Sequence, residues 1–429
     1  MVSAGDGPLG ILAGNGALPL EVADEVSRNG RPVHIVAIAG EAEPGIERHP
    51  HTWVGLGQIG GLLRAFRGAG CRDIVILGGV RRPDLKRLRA DLGFVINLPL
   101  ILSLMAGGDD SVLRKIVSFF EWRGFRVVGA HDVAPGLLAK DGPLGNRKPD
   151  DRVSRHIALG FALVEALGPL DVGQGVVIAG GRPVAIEAAE GTDRMLMRLE
   201  SLRASGITSG GVLVKAPKPG QELRIDLPAV GPKTVELASA AGLAGIAVAA
   251  GQVLVAERDR LAQRLAETGL FLIGSRTKLP DSVPANDEAA AASRWGRLRW
   301  ITGKVRSRDI RDAERALQAI SSARPFGAGA AAVSVREHVL ALEAGEGAEA
   351  MLGRVAGLRQ WGDRLSGHRR GVAALQPVDA DPAHLVQLAD TAGLAGLVMA
   401  GAWTGRAHLE LLAAASRRRL FVLACEDSG

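Results

Sequence analysis

With 429 residues, 47% hydrophobic and 23% charged, the chain is long enough for about two to four domains and too apolar to be disordered or fibrous. Its formal charge of +6 comes from 52 basic against 46 acidic residues, a mixed surface, and 3% aromatics leave few rings to stack bases, which argues against nucleic acid. Two cysteines, Cys71 and Cys425, support neither a disulfide framework nor a metal-cluster spacing and fit a reducing cytoplasm, and no basic-then-apolar leader precedes Leu9.

Gly10 to Ala13 reads as a strand, Gly14-Asn15-Gly16 as a tight turn, Leu20 to Arg28 as a helix stopped by Asn29-Gly30, and Pro32 to Ala39 as a second strand. That βαβ unit predicts a parallel, Rossmann-like sheet. A helix over Gly60–Gly68, a strand Ile74–Leu77 ending on Gly78-Gly79, a helix Val112–Arg123 and a strand Phe125–Val128 continue it. An uncharged run, Leu92 to Gly108, is broken by Pro99 and is shorter than the roughly 20 residues that span a bilayer. Pro135 to Asp151 is rich in Gly, Pro and Asp without periodicity and reads as a linker. A second domain follows, with helices Ser154–Leu167, Asp193–Arg203, Lys233–Ala241 and Arg258–Thr268 between strands Gly175–Ile178, Val184–Glu187, Gly211–Lys215, Ile246–Ala250 and Leu270–Ile273.

The remainder repeats that second domain. Ala185-Ile186-Glu187 through Met195-Leu196 returns as Ala341-Leu342-Glu343 through Met351-Leu352, Ala241 to Gly245 as Ala392 to Gly396, and Leu270 to Ile273 as Leu420 to Leu423, each about 150 residues on. The expected fold class is therefore α/β, a Rossmann-like N-terminal domain plus a mixed α/β C-terminal domain that is duplicated. The expected divisions are a Rossmann-like domain 1–134, a linker 135–150, a catalytic domain 151–275, a linker 276–300 and a degenerate copy 301–429.

What the copy lacks locates the chemistry. Lys215-Ala216-Pro217-Lys218-Pro219-Gly220-Gln221-Glu222-Leu223-Arg224-Ile225-Asp226 is replaced by a shorter stretch, Ala373 to Pro382, without Lys or Arg, and Thr192-Asp193 by Ala348-Glu349. A frame kept while its polar loop decays is expected when the loop did chemistry. Lys218 and Arg224 suit a phosphate or diphosphate, and Asp226, Asp193 and Glu190 offer carboxylates to a hard cation such as Mg²⁺. The alternative, a solvated hairpin with surface ion pairs, leaves the selective loss unexplained. Gly14-Asn15-Gly16 lacks the third glycine and the following acid of a dinucleotide site, and suits a helix N-terminus approached by an anionic or sugar group. Val80 to Arg89, with Arg81 and Arg82, places cations beside the uncharged run, which suits a lipid with a phosphate head or an anionic membrane surface and equally a core helix preceded by a solvated basic face. His131 is a ligand or base at a strand end, where a merely hydrogen-bonded histidine is also common. Nine histidines without Asp-x-His or Gly-Asn-His-Asp patterns exclude a calcineurin-like metallophosphoesterase; Gly-x-Ser-x-Gly and P-loop patterns are also missing.

From Leu9 to about Ile273 the chain resembles the bacterial UDP-2,3-diacylglucosamine pyrophosphatases of the LpxI type. The resemblance is carried by Gly10 to Pro19, Gly78-Gly79-Val80-Arg81-Arg82-Pro83, Gly108-Asp109-Asp110-Ser111-Val112-Leu113-Arg114, Gly124 to Asp132, Glu190-Gly191-Thr192-Asp193, Lys215 to Asp226 and Gly231-Pro232-Lys233-Thr234. It implies hydrolysis of UDP-2,3-diacylglucosamine to 2,3-diacylglucosamine 1-phosphate (lipid X) and UMP, a step of lipid A biosynthesis, by water attack on the α-phosphorus with Mg²⁺ assisting. It also implies a cytoplasmic enzyme peripheral to the inner membrane, with Asp226 essential. Expected catalytic residues are Asp226, Lys218, Arg224 and Gln221, and expected metal ligands Asp226, Asp193 and Glu190. Gly14, Asn15, Gly16, Arg81, Arg82, Asp109, Asp110, His131, Thr192 and Lys215 are expected to bind substrate, with acyl chains against Leu92–Met105. Where this chain has Glu222 the family often carries Asp. A Rossmann-type nucleotide-dependent oxidoreductase and a non-catalytic lipid-binding protein are the alternatives, and a homo-oligomer is compatible with the sequence.

Overall fold

A computed structural model describes residues 7–80, 91–96, 109–203, 206–276, 295–359 and 369–426. It divides into two compact units that cut across the expected boundaries. One comprises 1–144 with 221–233 and 249–264, the other 145–220 with 234–248 and 265–429.

In the first unit, strands β1 (Leu9–Ala13), β2 (Val33–Ile38), β3 (His51–Val54), β4 (Asp73–Leu77) and β5 (Arg126–Val127) form a parallel sheet in the order β3-β2-β1-β4-β5. Alternate side chains leave its two faces. Leu9, Ile11 and Ala13 pack with Val22, Ala23 and Val26 of the helix Leu18–Arg28. Leu12, Val36 and Ile74 pack with Phe66 of the helix Ile59–Gly68 and Val117 and Phe120 of the helix Asp109–Glu121. Burial on both faces is why these strands read as continuous apolar runs. Gly10 is required here, because a Cβ would lie 2.7 Å from the Phe66 ring.

The strand β3 escaped the sequence reading, since His51-Thr52-Trp53 is polar and half exposed at the sheet edge. The expected linker at 135–150 is not a spacer in its first half. Leu137 and Ala139 are buried, Leu138 bridges to Leu254, and Ala139 N donates to Val253 O at 2.8 Å. A short strand β6 (Gly142–Pro143) follows.

In the second unit, the helix Asp151–Leu167 begins three residues before its expected start, with the Asp150 carboxylate accepting from Val153 N at 2.7 Å. This helix passes length and hydropathy criteria for a membrane span, but it is mostly buried and packs on β7 (Gly175–Ala179) and β9 (Val212–Lys215) as a core helix. With β8 (Arg182–Ile186), β11 (Gly245–Ala249) and β13 (Phe271–Ser275) these strands run in the order β13-β11-β9-β7-β8. The short strands β10 (Ala229–Val230) and β12 (Leu254–Val255) pair in the first unit.

Beyond β13 the strands β14 (Arg299–Thr302), β15 (Ala331–Val335), β16 (His338–Leu342), β17 (Val372–Leu375), β18 (Gly396–Ala400) and β19 (Phe421–Cys425) form a sheet in the order β14-β19-β18-β17-β15-β16. From β19 to β16 this order matches β13 to β8. The hairpin β7–β8 shifts register between Val177 and Ile178, and β15–β16 shifts between Val333 and Ser334. A Cβ on Gly245 would fall 2.4 Å from the Phe271 ring, and one on Gly396 would fall 2.4 Å from the Phe421 ring. The expected linker 276–300 is largely outside the described residues, but its end is packed: Trp295 is buried and its indole N–H donates to Leu317 O at 3.0 Å.

Candidate active site

In the first unit the strand order reverses between β1 and β4, and the crevice outside the strand C-termini at such a point is where open α/β sheets bind ligands. Gly14, Asn15 and Gly16 leave β1 there. Gly14 N donates to Leu77 O at 2.8 Å, Asn15 N to Gly79 O at 2.9 Å, and Gly79 N to the Asn15 side-chain oxygen at 3.1 Å. A Cβ on Gly14 would fall 2.4 Å from Gly79 O, and one on Gly78, at φ +82°, would fall 2.4 Å from Asn15 O. The glycines are thus required by two turns that interlock, and Gly16 beside them faces open space. His131 follows β5 at the same edge. Its ring lies against Gly129, where a Cβ would be 2.2 Å away, and its Nδ1 is buried with no hydrogen-bond partner among the described residues.

The loop 221–233 belongs to this unit because it straddles the sheet's edge: Ile225 packs with the apolar cluster of one face and Leu227 with that of the other. Asp226 lies between them. The buried Gln221 reaches across a turn closed by Asp226 N donating to Glu222 O at 3.0 Å. Its amide donates to the Asp226 carboxylate and, at 2.7 Å, to the Asp226 carbonyl. Arg224 departs from its expected role as a phosphate ligand, because its guanidinium fork is engaged. Nε and Nη2 pair with both oxygens of Glu222 at 2.7 and 2.8 Å, and Nη1 pairs with Glu121 Oε1 at 2.7 Å. The Arg224 guanidinium holds the Glu222 carboxyl below the usual carboxylate range, and Glu222 raises Arg224 in turn. Glu222 therefore shapes the loop. Arg224 also lines a cavity of about 480 Å³ with Glu121, Arg126 and Asp132 along β5.

In the second unit a buried relay runs from the end of β9 to the turn after β8. Lys215 Nζ donates to Thr192 Oγ1 at 2.9 Å, and Thr192 Oγ1 donates to Glu187 Oε2 at 2.8 Å. Burial raises the Glu187 carboxyl, opposed by Lys215, Thr192 and Lys218. Lys218 pairs with Asp171, which occupies the left-handed region at φ 56°. The structure thus joins the expected Lys215 and Thr192 directly and adds Glu187 to them. That residue was legible only as part of the repeat, where its retention as Glu343 marked it as frame.

The expected metal set is not assembled. Glu190 is buried with one oxygen on Arg198 at 3.0 Å and the other on Arg354 at 3.2 Å, two guanidiniums that leave no role for a cation. Asp193 opens the helix Thr192–Leu202 in this unit, whereas Asp226 belongs to the first. Among the described residues no three His, Cys, Asp or Glu side chains are grouped to hold a metal ion. Arg81, Arg82, the side chains of Asp109 and Asp110, and residues 97–105 of the expected acyl-chain surface lie outside the described residues.

Residues 8–137 match the family model of the LpxI N-terminal domain and residues 140–273 that of the LpxI C-terminal domain. The chain is 38% identical over 270 residues to the UDP-2,3-diacylglucosamine pyrophosphatase LpxI of Caulobacter vibrioides, an alignment covering 62% of this chain and 96% of that protein. The two matched domains meet between residues 137 and 140. The motifs that carried the resemblance fall inside the matched residues, and the chain belongs to the LpxI family.

Proposed function

We propose that the chain hydrolyses UDP-2,3-diacylglucosamine to 2,3-diacylglucosamine 1-phosphate and UMP. The observation that carries this reading is the match of both LpxI domains, with the loop Lys215–Asp226 intact inside it. Water adds to the α-phosphorus, the bond from that phosphorus to the bridging oxygen breaks, and the departing oxygen stays on the sugar-linked phosphate. Asp226 is the proposed catalytic carboxylate, oriented by the Gln221 amide. Lys218 and Lys215 supply the positive charge that stabilises the phosphoryl oxygens as the bond breaks. Arg224, committed to Glu222 and Glu121, positions the loop. The edge built from Gly14, Asn15, Gly16 and His131 is proposed to receive the substrate's polar groups.

Mg²⁺ typically takes one or two carboxylates and completes its shell with water and substrate phosphate oxygens, so Asp226 is the proposed protein ligand of an ion that arrives with the diphosphate. When bound, such an ion offsets charge on the phosphoryl oxygens. Work at the cytoplasmic face of the inner membrane, where a diacylated substrate partitions, belongs to the same proposal.

Residues 301–429 are read as a degenerate copy of 151–275. The reading is supported by the common strand order, the matching register shifts and the paired Gly–Phe contacts. Labelled UDP-2,3-diacylglucosamine incubated with the protein and Mg²⁺ in ¹⁸O water should yield UMP carrying the label. Label in the lipid product would move the attack to the β-phosphorus, and no cleavage would end the proposal.

A further inference from the structure

Two acid–arginine pairs meet inside the second unit. Arg198 Nη2 donates to Glu190 Oε1 at 3.0 Å, and Arg354 Nη2 donates to Glu346 Oε1 at 2.9 Å. They also cross: Arg354 Nη1 donates to Glu190 Oε2 at 3.2 Å, and Arg198 Nη1 forms an ion pair with Glu346 Oε1 at 3.2 Å. Each crossed contact becomes the other when the two regions are exchanged, which is how two identical surfaces meet about a twofold axis. Neighbouring contacts join the same two regions. The helices Asp151–Leu167 and Ser307–Ala323 pack on each other, and Gly345 N donates to Val184 O at 3.2 Å. All four charged side chains are largely shielded from solvent, with side-chain exposures between 4% and 17%. A shielded acid–arginine pair still has a second carboxylate oxygen and further guanidinium N–H groups to satisfy, and an identical pair turned about a twofold axis satisfies both. Among the described residues, Glu190 with Arg198 and Glu346 with Arg354 are such pairs.

We infer that residues 301–429 stand where the equivalent surface of a second copy of this chain would stand, making the protein a self-contained twofold assembly in one polypeptide. The face that carries Val184, Glu190 and Arg198 takes a second copy of the chain once the internal contact is opened. The inference rests on reading 301–429 as a copy of 151–275.

The test uses the full chain. Glu346→Arg combined with Arg354→Glu keeps an acid–arginine pair within its own region but sets like charges opposite Arg198 and Glu190. By sedimentation equilibrium the parent should be a monomer at all concentrations, and the double variant should shift to twice the chain mass as concentration rises. Adding Glu190→Arg and Arg198→Glu restores both crossed pairs and should return the monomer. A parent that is already dimeric, a double variant that stays monomeric, or a quadruple variant that does not revert overturns the inference. Should the double variant fail to fold, Glu346→Gln with Arg354→Gln removes the crossed pairs without repulsion and carries the same expectations. UMP release on the same samples separates the two readings. Unchanged turnover without a dimer overturns this inference alone, whereas lost turnover in a folded variant overturns the reading of 301–429 as a copy without chemistry, and this inference with it.

Discussion

In one of the two like-ordered sheets the third strand from the hairpin's free edge, β9, ends on Lys215; in the other, β17 ends on Leu375. Around Lys215 stand Thr192 and Glu187, whose counterparts in the sequence repeat are Ala348 and Glu343. Glu343 has kept its place with other partners, accepting from Ala330 N at 3.0 Å and Gly347 N at 3.3 Å. The apolar frame is alike in both regions, with the same bulge and the same glycine beneath a phenylalanine. The difference at this position lies in groups that are costly to bury. On the proposed reading, an ammonium in a strand core is retained where it has a task and gives way to leucine where it has none.

The sharpest way to break this comparison is at the loop. Asp226→Asn should lower kcat for UMP release by about 10²–10³-fold, the scale of losing one positioned charge from a reacting centre. Asp381 in the shorter stretch caps the helix Pro382–Thr391 through Ala383 N. Asp381→Ala should therefore cost about 1 kcal/mol of stability and leave kcat alone. Near-equal kcat effects at the two positions would erase the distinction. Next in size, Leu375→Lys puts an ammonium where no hydroxyl waits for it and should cost about 3 kcal/mol in denaturant unfolding. Combining it with Ala348→Thr, which supplies an acceptor beside Glu343, should recover about 1 kcal/mol. Full tolerance of Leu375→Lys alone would mean that the frame does not discriminate. Smaller again, Thr192→Val removes the link between Lys215 and Glu187 and should cost about 1–2 kcal/mol with a severalfold drop in kcat. Ala348→Thr by itself should change neither by a measurable amount.

Much of this frame can be read from residue patterns. Continuous apolar strands between helices announce the parallel sheet of the first unit, and the repeat announces the second and third sheets before any coordinates. The polar loop also stands out, because the stretch 373–382 at the corresponding place in the repeat carries no Lys or Arg. Three features resist such reading, each because it joins distant parts of the chain. Gln221–Lys233 belongs with the first unit since Ile225 and Leu227 have apolar partners more than a hundred residues earlier. Glu190 resembles a metal ligand in sequence, and its second arginine lies 164 residues away. Glu121, which fixes Arg224 from a helix 103 residues earlier, has no local signature either.

The gentlest probe of the comparison is pH. Each hairpin turn is anchored by the helix beneath it through a backbone amide: Gly181 N donates to His156 Nε2 at 3.0 Å, and Glu337 N donates to Asp312 Oδ1 at 2.6 Å. Both anchors are buried, and burial moves them in opposite senses for stability. The His156 pKa is held below the ordinary 6.5 by desolvation and by Arg152 and Arg155, so its contribution is complete above 6.5 and is lost as pH falls through the lower folded value. Protonation would also remove the lone pair that Gly181 N uses. The Asp312 pKa is raised above the ordinary 3.8 by desolvation, so its contribution is largest below 3.8 and declines as pH rises through the folded value. Acidification from about pH 7 to about pH 5 should therefore reduce the intrinsic-rate-corrected exchange protection of the Gly181 amide while that of Glu337 holds or grows. His156→Gln, which keeps an acceptor but cannot titrate, should remove the first trend and leave the second. If the two amides instead respond in the same direction, the anchors are not doing the separate chemistry that their side chains prescribe.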